Sequence, residues 1–135
     1  MELNINSPSY YTQNYGVIDE IYWLCRDISL FVKNEQYSDV INIIGITPII
    51  APDSLLEKGL CKDVKKVELK YGFAAVSLKI DFNKYINSDL YEKKILIVKN
   101  ILQSIKVIHK KAKLDYDRFE NDIYSFCEIN NIKIK

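Results

Sequence analysis

His109 is the only histidine in the chain, and it stands in a basic run with Lys106, Lys110, Lys111 and Lys113. A mechanism that uses two histidines as acid and base is therefore excluded. A Cys–His nucleophile would have to pair His109 with Cys25, Cys61 or Cys127, and none of the three has the sequence surroundings of a catalytic cysteine. No HExxH, CxxC or EF-hand loop is present, and the four isolated glycines make neither a GxGxxG nor a P-loop phosphate cradle. The residues give no catalytic set, no metal ligands and no cofactor.

The remaining chemistry belongs to surfaces. Asp115, Asp117, Glu120, Asp122 and Glu128 crowd one short segment with Arg118 as its sole cation, and Tyr116 and Tyr124 stand among them. On a helix this is either a solvated side or a contact surface for a basic partner. Asp19 and Glu20 form a second acidic pair, and Asp27, seven residues beyond Glu20, shares one helix side with it. Their plain role is compensation of the dipole near a helix start. Tyrosine suits interfaces because it joins a rigid ring to a hydroxyl, and the chain has ten. The coding bias that leaves only Arg26 and Arg118 as arginines amid abundant Lys, Ile and Asn also raises tyrosine. The candidate partner-binding residues are Asp115, Asp117, Glu120, Asp122, Tyr116, Tyr124, Asp19, Glu20 and Asp27.

These residues need a frame, and the composition supplies one. The chain has 135 residues, 48% of them hydrophobic and 27% charged, within the range of one globular domain over residues 1–135. Nineteen basic against eighteen acidic residues give a charge of +1, which argues against nucleic-acid binding through bulk positive charge. No apolar stretch is long enough for a membrane-spanning helix, so no membrane partner is expected. The N-terminus lacks the basic and apolar regions of a signal peptide, which makes the cytosol the default location.

Residues 1–16 are polar and aromatic and read as an arm, an edge strand or a loop. From Val17 to Lys33, Ile18, Ile21, Tyr22, Cys25, Ile28 and Val32 recur at the spacing of a helix with one buried face. Trp23 and Phe31 lie off the centre of that stripe and are expected to widen it, with contact to a partner as the alternative. The β-branched run at 40–51 reads as a central strand that stops near Thr47, because Pro48 cannot donate to a ladder. Pro52 to Gly59 reads as a short helical connector. Val64–Tyr71 and Phe73–Phe82 alternate like half-buried antiparallel strands, with Gly72 in a hairpin turn or a bulge. Ser88 or Asp89 caps a long helix with the stripe Leu90, Ile97, Val98, Ile101, Ile105 and Ile108, and Asp115 caps a last helix through Phe126. The predicted fold is α+β: a mainly antiparallel sheet of three or four strands packed against an N-terminal helix and two C-terminal helices.

The segments GVIDEIYWLCRDISLFV, INIIGITPIIAP and KYGFAAVSLKIDF, followed by a long Lys/Ile-rich helix, resemble the small immunity proteins of bacterial polymorphic-toxin and contact-dependent growth-inhibition systems. The resemblance covers roughly Tyr15 to Phe126. It implies a cytosolic inhibitor without catalysis that binds the C-terminal domain of a cognate toxin and occludes its active site. From the residues alone, the alternative is a small nucleic-acid-associated enzyme or toxin that uses the Lys106 to Lys113 block with helix carboxylates. A homodimeric scaffold is a third reading.

Overall fold

Pro48 has no amide hydrogen, and the apolar run around it is broken there into two strands, β3 (Ile43–Ile46) and β4 (Ile49–Ala51). Two neighbouring strands break at the same level. Asn6 and Pro8 lie between β1 (Glu2–Ile5) and β2 (Ser9–Tyr10), and Leu78 separates β6 (Phe73–Ser77) from β7 (Lys79–Asp81). The computed structural model describes residues 2–6, 8–10, 19–52 and 66–134, with all of their side chains except those of 9, 10, 19, 66 and 67.

Because β1, β3 and β6 pair in parallel and β2, β4 and β7 do the same, the three breaks line up as one crease across the sheet. Backbone bonds stitch the crease: Asn6 N to Ile46 O at 2.8 Å, Thr47 N to Val76 O at 3.1 Å and Ile49 N to Leu78 O at 3.0 Å. The Asn6 side-chain amide also donates to Thr47 Oγ1 at 2.9 Å.

Parallel neighbours cannot be joined by a tight turn. The crossover from β1/β2 to β3/β4 is made by α1 (Asp19–Phe31), which is anchored to the sheet edge where Ile5 N donates to Ser29 Oγ at 3.0 Å. The one antiparallel pairing among the described residues, β5 (Lys66–Lys70) with β6, closes through Tyr71 and Gly72. Both have positive φ, 49° and 79°, the signature of a two-residue hairpin loop. Gly72 is needed there, since a Cβ would stand 2.9 Å from Asn42 Nδ2. Its carbonyl accepts the Asn42 and Ile43 amides and so starts the β3–β6 ladder.

Three helices follow: α2 (Phe82–Ile86), α3 (Leu90–His109) and α4 (Tyr116–Ile129). Each is capped by the aspartate just before it; Asp81, Asp89 and Asp115 accept the amides of Lys84, Glu92 and Arg118 at 2.9, 2.8 and 3.2 Å. One face of the first ladder, with Leu3, Ile5, Ile44, Ile46, Ala74 and Val76, is buried in a core shared with Ile21 and Ile28 of α1, Ile101 and Ile105 of α3, and Phe119 and Ile123 of α4. On the other face Glu2, Asn4 and Phe73 are exposed, and Ile43, Gly45 and Ala75 are partly so. In β4 all three residues are buried.

The fold class is α+β as expected, and the caps Asp89 and Asp115 and the stripes of α3 and α4 are where the sequence placed them. The expectation of a mainly antiparallel sheet is corrected. Four of the five strand pairings among the described residues are parallel. Alternation reports that one face is covered and the other open, whatever the strand direction, so it carried no information on this point. Gly72 belongs to a hairpin turn rather than a bulge. Residues 2–5 form an edge strand, while Tyr11 and Tyr15 and the expected connector from Asp53 to Gly59 lie outside the described residues.

Buried Asn100 of α3 donates to Leu78 O at 3.0 Å, so a helix side chain holds the backbone at the crease. Asn100→Ala is expected to lower stability by about 1–2 kcal/mol. The measurement is a shift of the urea midpoint with an unchanged slope.

Candidate functional site

A helix turns about 100° per residue, so the carboxylates of α4 do not share one side. Asp115 is consumed as the cap of the helix. Asp122 accepts the Tyr37 hydroxyl at 2.6 Å, and neighbouring Arg118 donates to Gln36 O at 2.9 Å and pairs with Glu35. Glu120 points the other way and accepts the hydroxyl of Tyr116, whose ring stacks on His109 at 6.0 Å. Tyr124 is partly buried on the same flank as Glu120. Asp117 and Glu128 are left exposed on the outward side. The sequence grouped these residues by composition; the structure divides them between a cap, one tertiary hydrogen bond to Tyr37, one bond within the helix to Tyr116 and a solvent-facing remainder.

These bonds mark the tyrosines. Burial, then the hydrogen bond to Asp122, pushes the Tyr37 hydroxyl well above the usual tyrosine range, and burial followed by the bond to Glu120 does the same to Tyr116. Burial also raises Tyr124, with the charge of Glu120 adding to it.

The α1 carboxylates behave differently. Asp19 opens the helix, but its side chain lies outside the described residues. Glu20 and Asp27 do share a side, as their spacing required, and Trp23 stands between them. Together they line a cleft of about 220 Å³ against Phe126, Asn130 and Ile132, and Glu20 meets Lys94 at 3.7 Å.

The expectation that Tyr22, Trp23 and Phe31 join the core is overturned: they are 45%, 50% and 42% exposed, and Leu30 is 54% exposed. Ile21, Leu24, Cys25, Ile28 and Val32 already fill the inward face of α1, so side chains outside that arc stay about half exposed, Phe31 meeting the Phe126 ring edge to face at 5.5 Å. The outward side therefore carries four large apolar residues among Glu20, Arg26 and Asp27. Tyr22 and Trp23 touch edge to face at 5.2 Å, and the Arg26 guanidinium lies 5.2 Å from the Trp23 ring centre. On the sheet side of α1 a groove of about 490 Å³ opens, lined by Asn4, Asn6, Tyr22, Arg26, Gly45 and Phe73. Sequence reasoning missed this groove because the strand direction that brings Asn4, Gly45 and Phe73 level with α1 was not in the pattern.

Glu20 and His109, two groups a catalytic alternative would combine, lie apart. Glu20 pairs with Lys94, and His109 lies fifteen residues further along α3, roughly 22 Å at 1.5 Å per residue, so the two cannot act on one atom. Burial pushes the Cys25 thiol up to about 12 and the Cys127 thiol up to about 11, which keeps both protonated and unreactive near neutrality. Cys61 lies outside the described residues. Lys106, Lys110, Lys111 and Lys113 are exposed, as a solvated helix end would be. Among the described residues no helix is long and apolar enough to cross a membrane.

The family model described as immunity protein 44 matches residues 1–129. No curated protein and no solved structure matches the chain.

The Tyr37–Asp122 bond joins the segment after α1 to α4 and generates a pH signature. A hydroxyl whose folded pKa exceeds its unfolded value of about 10 contributes its full stability below that pH and loses it as pH rises further. Tyr37→Phe is expected to cost about 1 kcal/mol near pH 7. It should also flatten the alkaline decline of the melting temperature, read by circular dichroism above about pH 10.

Proposed function

This chain belongs to the immunity protein 44 family, and on that premise we propose that it binds a cognate toxin domain and neutralises it by covering the toxin's active site. It does so by occupancy, without a reaction of its own. The setting is the cytoplasm of a bacterium that carries a polymorphic-toxin or contact-dependent growth-inhibition system.

The observation that carries the reading is the outward face of α1. A helix whose inward face is already filled keeps Tyr22, Trp23, Leu30 and Phe31 at 42–54% exposure. Isolated exposed apolar residues are ordinary, but a cluster that joins Trp, Tyr and Arg has the composition of an interface centre. Glu20 and Asp27 flank it as a charged rim, and Asp117 and Glu120 of α4, with Tyr116 and Tyr124, form a second acidic border. In this division the aromatic centre sets the lifetime of the complex and the carboxylates set the rate of encounter.

The direct experiment is rescue of growth when the chain is expressed with the toxin domain encoded beside it, followed by recovery of a stoichiometric complex. Absence of both, with the chain folded and expressed, would sink the reading. Trp23→Ala is expected to weaken binding by about 2 kcal/mol or more, roughly thirtyfold, mainly through faster dissociation. Asp27→Lys combined with Asp117→Lys should instead slow association, an effect that shrinks at high salt. Surface-based binding kinetics at two salt concentrations separates the two. Unchanged kinetics in both variants would move the interface off these faces.

A further inference from the structure

Gly45 occupies the middle of β3, where a glycine gives up both side-chain packing and strand propensity. The fold does not require it. A Cβ built at Gly45 meets no atom within 4 Å, and its φ is not in the left-handed region; at Gly72, by contrast, both constraints apply. Gly45 lies instead on the floor of the 490 Å³ groove, level with Asn4 on β1 and Ala75 on β6. A glycine on an open strand surface is suited to close passage of a second backbone.

The rest of the groove defines what that backbone carries. Tyr22 and Phe73, 45% and 42% exposed, line it together with Gly45. Arg26 lines it with a guanidinium that forms no ion pair with a described carboxylate and is otherwise engaged on the Trp23 ring. Asn4 and Asn6 add side-chain amides, which can donate to and accept from a peptide. In the adjoining groove along α1, Glu2 and Lys33 are of opposite sign, so among the described residues that line the two grooves Arg26 is the charge without a counterpart.

We propose that this groove receives a carboxylate-bearing segment of the toxin domain, its backbone passing over Gly45 between Tyr22 and Phe73 and its carboxylate on Arg26. The inference rests on the toxin-binding reading and deepens it, because the Tyr22–Trp23 contact makes the groove continuous with the outward face of α1.

The test uses the full chain and the adjacently encoded toxin domain, with affinity measured by calorimetry and folding by thermal melting. Gly45→Val is expected to keep or raise the melting temperature while weakening binding at least tenfold. Arg26→Gln should weaken binding to a similar extent, and Gly45→Ala should fall between Gly45→Val and the unchanged chain. If the unchanged chain binds but Gly45→Val and Arg26→Gln bind equally well, the groove assignment is overturned and the toxin-binding reading stands. If the unchanged chain neither binds nor rescues growth, both fall. Light scattering covers the remaining occupant: self-association lost in Gly45→Val, with toxin binding intact, would assign the groove to a second copy and overturn the proposal.

Discussion

A missing amide hydrogen organises this molecule. Pro48 has no amide hydrogen to offer the β1/β2 side, while Thr47 N and Ile49 N on either side of it still reach Val76 O and Leu78 O toward β6 and β7. The flanking strands break level with it, and the crease is then held by backbone bonds, by the Asn6–Thr47 contact and by Asn100 reaching from α3 to Leu78 O. Buried Asn100 thus places a polar group where an apolar stripe would otherwise run, and it is satisfied by a backbone carbonyl at the break. In the first ladder β1 and β3 are covered on one face, whereas β4 beyond the crease is buried at all three of its residues.

One-sided covering decides what the surface can do. With the core on one side of the first ladder, α1 runs along the β1 edge, tied down by Ser29, and its inward arc is filled by five apolar residues. Tyr22, Trp23, Leu30 and Phe31 are left outward, and the open sheet face beside them becomes a groove rather than a second core. The acidic residues of α4 are drawn the opposite way. Capping, the Tyr37 hydroxyl and the Tyr116 hydroxyl each take a carboxylate, because unpaired donors at helix ends and in partly buried sites are more costly than unpaired charges in water. Asp115 and Asp122 are engaged in structural bonds, and Tyr22, Trp23 and Phe31, expected to join the core, are exposed.

The local elements were legible because their signals are local. Asp89 and Asp115 precede apolar stripes at helical spacing, so their caps needed no tertiary information. The break at Pro48 followed from its chemistry alone. The family resemblance rested on the order of these same segments, and the match over residues 1–129 agrees with it. The partner-binding assignment was less legible. Glu20 and Asp27 share a side because seven residues are two helical turns, and Asp117 and Glu120 share one because they are three apart, whereas Asp122 falls on the opposite side of α4.

By itself, then, the sequence determined the class of fold, the helices with their caps and inward stripes, and the exclusion of an acid–base mechanism that needs two histidines. These follow from periodicity and from residue chemistry within a few positions. Tertiary structure alone decided that the strands run parallel, that Trp23 faces outward and that Gly45 floors a groove. The reason is physical: strand direction and exposure depend on which surfaces meet across long stretches of chain, and alternation along a strand is identical for either direction.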